Sequence, residues 1–229
     1  MKTIGLLGGL SYLSTIEYYK QINGMVNTAL GERHSAKIIL NSIDYQEIKK
    51  YDNKDWESIS EILWREIHKL DSSGVDCLLV CNNTLHKAVD RICNEWQIQA
   101  SFFHIVDCLG HFAVDRKHQK LLLLGTRFTM EDGFYANRLG DSFGLDVITP
   151  DSAEREFIQF IIMQELVKGI LSEKSKQWLL KTIANYSVDG VVLGCTELPL
   201  IIDQNDIALP ILNTVDIHCK KAVEFALLG

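Results

Sequence analysis

The chain has 229 residues, 47% hydrophobic and 23% charged, a balance that supports a real buried core and gives no sign of disorder. Its net charge of −7, with Lys and Arg scattered rather than clustered, argues against nucleic acid as a partner. No run of 18 apolar residues occurs and the first residues read as an opening strand, so neither a membrane partner nor a secretory leader is expected, and the expected location is cytoplasmic.

In chain order, strands are expected at Lys2 to Leu7, Lys37 to Ser42, Asp76 to Cys81, Phe102 to Ile105, Lys120 to Leu124, Asp146 to Ile148 and Gly190 to Leu193. These are short apolar runs bounded by Gly, Asp or Asn, and most lack polar alternation, as parallel strands covered on both faces do. Apolar residues at three-and-four spacing place helices over Ser14 to Leu30, Trp56 to Ser72, Asn83 to Trp96, Asp107 to Asp115, Met130 to Phe143, Ala153 to Lys168 and Lys174 to Tyr186. The alternation gives an α/β class with parallel sheets flanked by helices.

The chain also repeats itself. Ile4-Gly-Leu-Leu-Gly-Gly9 resembles Leu121-Leu-Leu-Leu-Gly-Thr126, and Leu78-Leu-Val-Cys-Asn-Asn-Thr84 resembles Val191-Val-Leu-Gly-Cys-Thr-Glu197. The same two strand-end loops recur in the same order, so two pseudo-symmetric lobes are expected. The first would span residues 1–98 plus 210–229, with a last helix from Val215 to Leu227 packing back on it, and the second 99–209.

Six cysteines, Cys77, Cys81, Cys93, Cys108, Cys195 and Cys219, need no pairing in a chain with a core of this size, and no four-ligand zinc spacing is visible. No metal is expected. Neither a dinucleotide fingerprint nor a P-loop is present, because Gly5, Gly8 and Gly9 do not fit the glycine spacing.

Ligands of open parallel sheets bind beyond the carboxyl ends of strands. Four segments qualify: Gly8-Gly9-Leu10-Ser11, Asn82-Asn83-Thr84, Gly125-Thr126-Arg127-Phe128-Thr129 and Gly194-Cys195-Thr196-Glu197. Rich in Gly, Ser, Thr and Asn, they offer many neutral donors and little positive charge, which favours a carboxylate over a polyphosphate. Cys195, at a strand end beside helical N–H groups that would favour the thiolate, is the strongest reactive candidate. His86 would orient a ligand, tune a thiol or simply cap a helix, and Thr126 and Thr129 read equally as helix caps and ligand contacts. Lys168 either pairs with a carboxylate or complements a helix dipole.

These loops resemble the aspartate/glutamate racemase family of cofactor-independent amino-acid racemases. The resemblance runs through Met1 to Gly9 with Ser11, Ser14 and Thr15, Asn41-Ser-Ile-Asp-Tyr45, Asn83-Thr84 with His86, Leu124-Gly-Thr126 with Thr129-Met130, Glu154-Arg155, Glu165-Leu166 and Gly194-Cys-Thr-Glu197. It implies two α/β lobes with the active site between them, no cofactor, a homodimer, and a small acidic amino acid as substrate. One cysteine from each lobe would flank the α-carbon, one removing its proton and the other donating from the opposite face.

The family pattern Cys-Asn-Thr-x-His aligns with Asn82-Asn83-Thr84-Leu85-His86, so Asn82 stands where the first cysteine would be. Cys81 is adjacent, but strand alternation points it to the other face unless a bulge intervenes. The carboxylate-gripping arginine of the family has no match between Asn41 and Tyr51, where only Lys49 and Lys50 are cationic. The resemblance therefore implies Cys195 and Asn82 as the catalytic pair, with Gly9, Leu10, Ser11, Asn83, Thr84, Thr126, Thr129, Lys168, Thr196 and Glu197 around the substrate and His86 and Cys81 as support. The expected activity is racemisation or epimerisation of aspartate or glutamate, impaired or one-sided. The alternatives are a degenerate dicarboxylate or amino-acid binding protein and a single-thiol decarboxylase.

Overall fold

The computed structural model describes residues 1–51, 54–92 and 97–228. Cys93 and the end of the helix expected to reach Trp96 lie outside the described residues. The chain divides into two compact units, Met1–Ile105 with His218–Gly229, and Val106–Ile217.

The first unit is built on a four-stranded parallel sheet of order β2-β1-β3-β4, with β1 at Ile4–Gly8, β2 at Ile38–Ser42, β3 at Cys77–Val80 and β4 at Ser101–Phe102. Helices α1 (Tyr12–Leu30), α2 (Gln46–Lys49), α3 (Trp56–Asp71) and α4 (His86–Ile92) connect the strands. Every residue of β1 and β3 is buried, which is why neither shows polar alternation. Helix α3 explains itself from its spacing: Ile59, Ile62, Leu63, Ile67 and Leu70 face the sheet and pack with Leu78 and Val80, each burial contributing roughly 1.5–3 kcal/mol. Glu66 lies on the same buried face. Three partners stabilise its charge: Lys69 at 2.8 Å, Asn41 at 3.0 Å and Arg65 at 3.0 Å. Burial opposes ionisation there, but these bonds outweigh it and hold the carboxyl at about 2.

The second unit repeats the plan, with sheet order β6-β5-β7-β8 and all pairs parallel. Its strands are β5 (Lys120–Leu124), β6 (Asp146–Ile148), β7 (Gly190–Leu193) and β8 (Ile211–Asn213). Its helices are α5 (Ile105–Asp115), α6 (Arg127–Glu131), α7 (Phe134–Phe143), α8 (Ser152–Phe160) and α9 (Glu173–Ala184), and α10 (Thr214–Leu227) returns the chain to the first unit. There Lys2 N–H bonds the Ala226 carbonyl at 2.9 Å, and Tyr18 meets His218.

Several expected elements are corrected. The single helix over Met130 to Phe143 is two, because Gly133 takes the left-handed conformation at φ 87° and separates α6 from α7. The helix over Ala153 to Lys168 is α-helical only to Phe160, then winds as a π-helix to Glu165 and a 3₁₀ turn to Lys168. The strand expected at Phe102 to Ile105 ends at Phe102, since Ile105 already begins α5. Strand β8 was not expected. No helix among the described residues is long and apolar enough to cross a membrane.

Candidate active site

Sheet register identifies matched positions in the two units. The last residue of β3 paired to β1 is Val80, and the last residue of β7 paired to β5 is Leu193. Two residues beyond each lie Asn82 and Cys195, with Cys81 and Gly194 in the intervening place.

Asn82 is half-buried and both ends of its amide are engaged. Nδ2 donates to the Leu10 carbonyl at 2.8 Å, and Oδ1 accepts from the Leu85 N–H at 3.0 Å. The side chain is thus a clasp between the loop after β1 and the loop after β3. Each bond contributes about 0.5–1.5 kcal/mol. The Asn82 carbonyl in turn accepts from His86 Nδ1 at 2.7 Å. Cys81 does not swing out to take this place: the Asn82 N–H turns back to the Val80 carbonyl at 2.8 Å, closing a three-residue turn around Cys81. Cys81 has no exposed surface, and burial pushes its thiol far up, so it is held neutral.

The loop after β1 is shaped by close approach. Gly9 sits at φ 82°, and a Cβ there would run into the Ile43 carbonyl. Its N–H is spent on Thr15 Oγ1 at 2.9 Å. Leu10 is wholly buried, so its side chain serves the core while its carbonyl meets Asn82. Ser11 is the N-cap of α1 and carries a positive φ of 114°, a strained conformation for a residue with a side chain. Among the described residues the Leu10 and Ser11 N–H groups meet no acceptor, which leaves two donors next to the start of α1. Asn83 is buried beside the clasp, and the Thr84 carbonyl accepts from Lys87 N–H in the first turn of α4.

In the second unit, Cys195 is 8% exposed and its Sγ donates to Glu197 Oε2 at 2.9 Å. Thr196 Oγ1 donates to the same oxygen at 2.7 Å. The expectation that helical N–H groups would favour the thiolate is overturned. Burial, then the Glu197 charge and its hydrogen bond, raise the thiol well above its ordinary value, and the Glu197 and Thr196 N–H groups only partly offset them. Cys195 is therefore a protonated thiol facing a built-in acceptor. Glu197 and Thr196, expected around the substrate, are in this structure bound to the thiol and to each other. The signal that could have revealed this was the Cys-x-Glu spacing itself, which in a tight turn brings the two side chains together.

Thr126 is the N-cap of α6, accepting from Thr129 N–H at 3.4 Å, and its hydroxyl lies 3.0 Å from that of Thr129. Thr129 is 1% exposed and packs against Gly125 and Gly194, where a Cβ on Gly194 would fall 3.1 Å from the Leu124 carbonyl. Thr129 thus braces the turn that carries Cys195. Lys168 is exposed and donates to Gln164 Oε1 at 2.6 Å.

The Glu197 charge makes one prediction. Glu197→Gln removes the nearest negative charge from Cys195, so the pH profile of Cys195 alkylation by iodoacetamide, followed by peptide mass spectrometry, should move to lower pH than in the wild type. An unchanged or higher profile would mean that burial alone holds the proton.

Comparison with known proteins places these units. A model of the Asp/Glu/hydantoin racemase family matches residues 7–222. The chain is 40% identical to a Yersinia pestis protein provisionally classed as an Asp/Glu racemase, with TM-score 0.91 over 99% of this chain and 100% of that one. An aspartate racemase homologue from Pyrococcus horikoshii is 33% identical, with TM-score 0.89 over 99% and 100%. A glutamate racemase from Exiguobacterium sibiricum is 22% identical over 78% of this chain, which spans 68% of that protein. With matched strand-end loops in two like sheets and a family match over nearly all its length, the chain belongs to the Asp/Glu/hydantoin racemase family.

Proposed function

We propose that this protein moves a proton at the α-carbon of a small acidic amino acid without a cofactor, and that it does so from one face far faster than from the other. The carrying observation is the Cys195 to Glu197 hydrogen bond at a strand end. Glu197 can take the thiol proton, the thiolate then removes the substrate α-proton, and the carbanion is reprotonated by the same sulfur. The Leu10 and Ser11 N–H groups are donors suited to holding a substrate carboxylate.

On this reading Cys195 alone exchanges a proton with the α-carbon. Asn82, at the matched strand-end position, has none to give, for an amide exchanges no proton near neutral pH and this one is held at both ends. A proton removed by Cys195 therefore returns mostly from Cys195. In deuterated water, one enantiomer of aspartate or glutamate should gain deuterium at Cα with retention, about tenfold or more faster than it racemises. Exchange at equal rates in both enantiomers would overturn the one-sided reading. Saturable binding of the amino acid with no exchange in either would favour the one alternative that the Asn82 clasp supports, a binding protein descended from the enzyme.

A further inference from the structure

Beneath Asn82 the first unit buries an aromatic cluster that the proposed reaction does not use. His86 and His218 have no exposed surface and His104 has 5%. The His86 ring lies 4.6 Å from His104, 5.7 Å from His218 and 6.0 Å from Phe102, centroid to centroid. The protonation of two of these rings follows from their partners. A carbonyl can only accept, so His218 donates from Nε2 to Phe103 O at 2.8 Å, which leaves its Nδ1 to accept from the Tyr18 hydroxyl at 2.8 Å. Burial pushes this imidazole down to about 3, so it stays neutral. By the same logic His86 carries its proton on Nδ1 and gives it to the Asn82 carbonyl at 2.7 Å.

These bonds form a relay. His86 holds the Asn82 carbonyl, the Asn82 side chain holds the Leu10 carbonyl, and Leu10 is followed by Ser11 in its strained pose. A peptide plane fixed at its oxygen restricts the turn on which the Asn82 side chain is mounted. The rings of His104, His218 and Phe102 pack around His86. We propose that His86 is a positioning residue: by its Nδ1–H bond it sets the pose of Asn82, and through the Asn82 clasp it presents the Leu10 and Ser11 N–H groups to a substrate carboxylate. The second half of this rests on the proposed function; the first half does not.

Two substitutions separate positioning from packing. Asn at 86 places an amide nitrogen where the imidazole Nδ1 stands but leaves a smaller side chain, whereas Phe keeps a ring and has no donor. If His86 positions by donation, His86→Phe should speed hydrogen exchange of the Leu85 amide, which is held by Asn82 Oδ1, by about tenfold, and His86→Asn should stay near wild type. In Cα exchange assays on aspartate or glutamate, His86→Phe should raise KM severalfold with kcat nearly kept, as loss of a ground-state carboxylate contact does, and His86→Asn should restore KM. The reverse pattern at Leu85, with Phe normal and Asn fast, would show a packing role and overturn the proposal. A normal KM in a Phe variant whose Leu85 exchanges fast would confine His86 to the loop and overturn its link to the substrate. Should the wild type turn over no substrate, the proposed function fails, while the Leu85 measurement still decides the relay.

Discussion

Cys195→Ser is expected to lower deuterium exchange at the substrate α-carbon by about 10²- to 10⁴-fold, the usual worth of a positioned acid or base. Serine preserves the size of the side chain and its donation to Glu197, so the turn braced by Thr129 should persist. What it loses is a proton of useful acidity: an alkoxide is out of reach where even the thiol is held protonated by burial and by Glu197. Exchange within about threefold of wild type would remove Cys195 from the chemistry, since no acid or base of ordinary strength contributes so little.

The second large effect belongs to Asn82→Cys, and two terms oppose each other in it. Sulfur cannot reproduce the bonds to Leu10 and Leu85, so the clasp opens at a cost of about 1–3 kcal/mol. Against that, a second thiol supplies an acid on the unserved face, and 10²- to 10⁴-fold corresponds to roughly 3–5 kcal/mol of barrier. The catalytic term is the larger. The ratio of racemisation to exchange should therefore rise at least about tenfold, while thermal stability falls. Chiral chromatography beside deuterium incorporation measures the ratio, and a folded variant with an unchanged ratio would show that position 82 does not face the α-carbon.

Much of this was legible from local pattern. Strands β5, β6 and β7 were bounded to the residue because Gly, Asp and polar residues fence short apolar runs. Strand β8 escaped because three residues after Pro210 carry too little pattern, although Leu212 pairs fully with β7. The helix after Ser152 kept its apolar spacing past Phe160, and spacing alone does not reveal the wider π winding that begins there. The correspondence of Asn82 with Cys195 came from repeated loops, and register alone yields the same pair of positions. The thiol departs from its expected acidity because a helix N-terminus lowers a thiol pKa only where burial and a carboxylate do not outweigh it. The Tyr18 to His218 bond joins residues 200 apart and leaves no trace in spacing.

That last bond also orders events in time. Tyr18 is sealed only when His218 arrives, and the backbone of Lys2 finds its partner only at Ala226. On the ribosome the second unit, Val106–Ile217, is synthesised whole before the first unit receives its closing segment. The nascent first half must therefore wait, with the underside of its imidazole cluster uncovered, until the whole second unit has been made and the segment from His218 onward follows it.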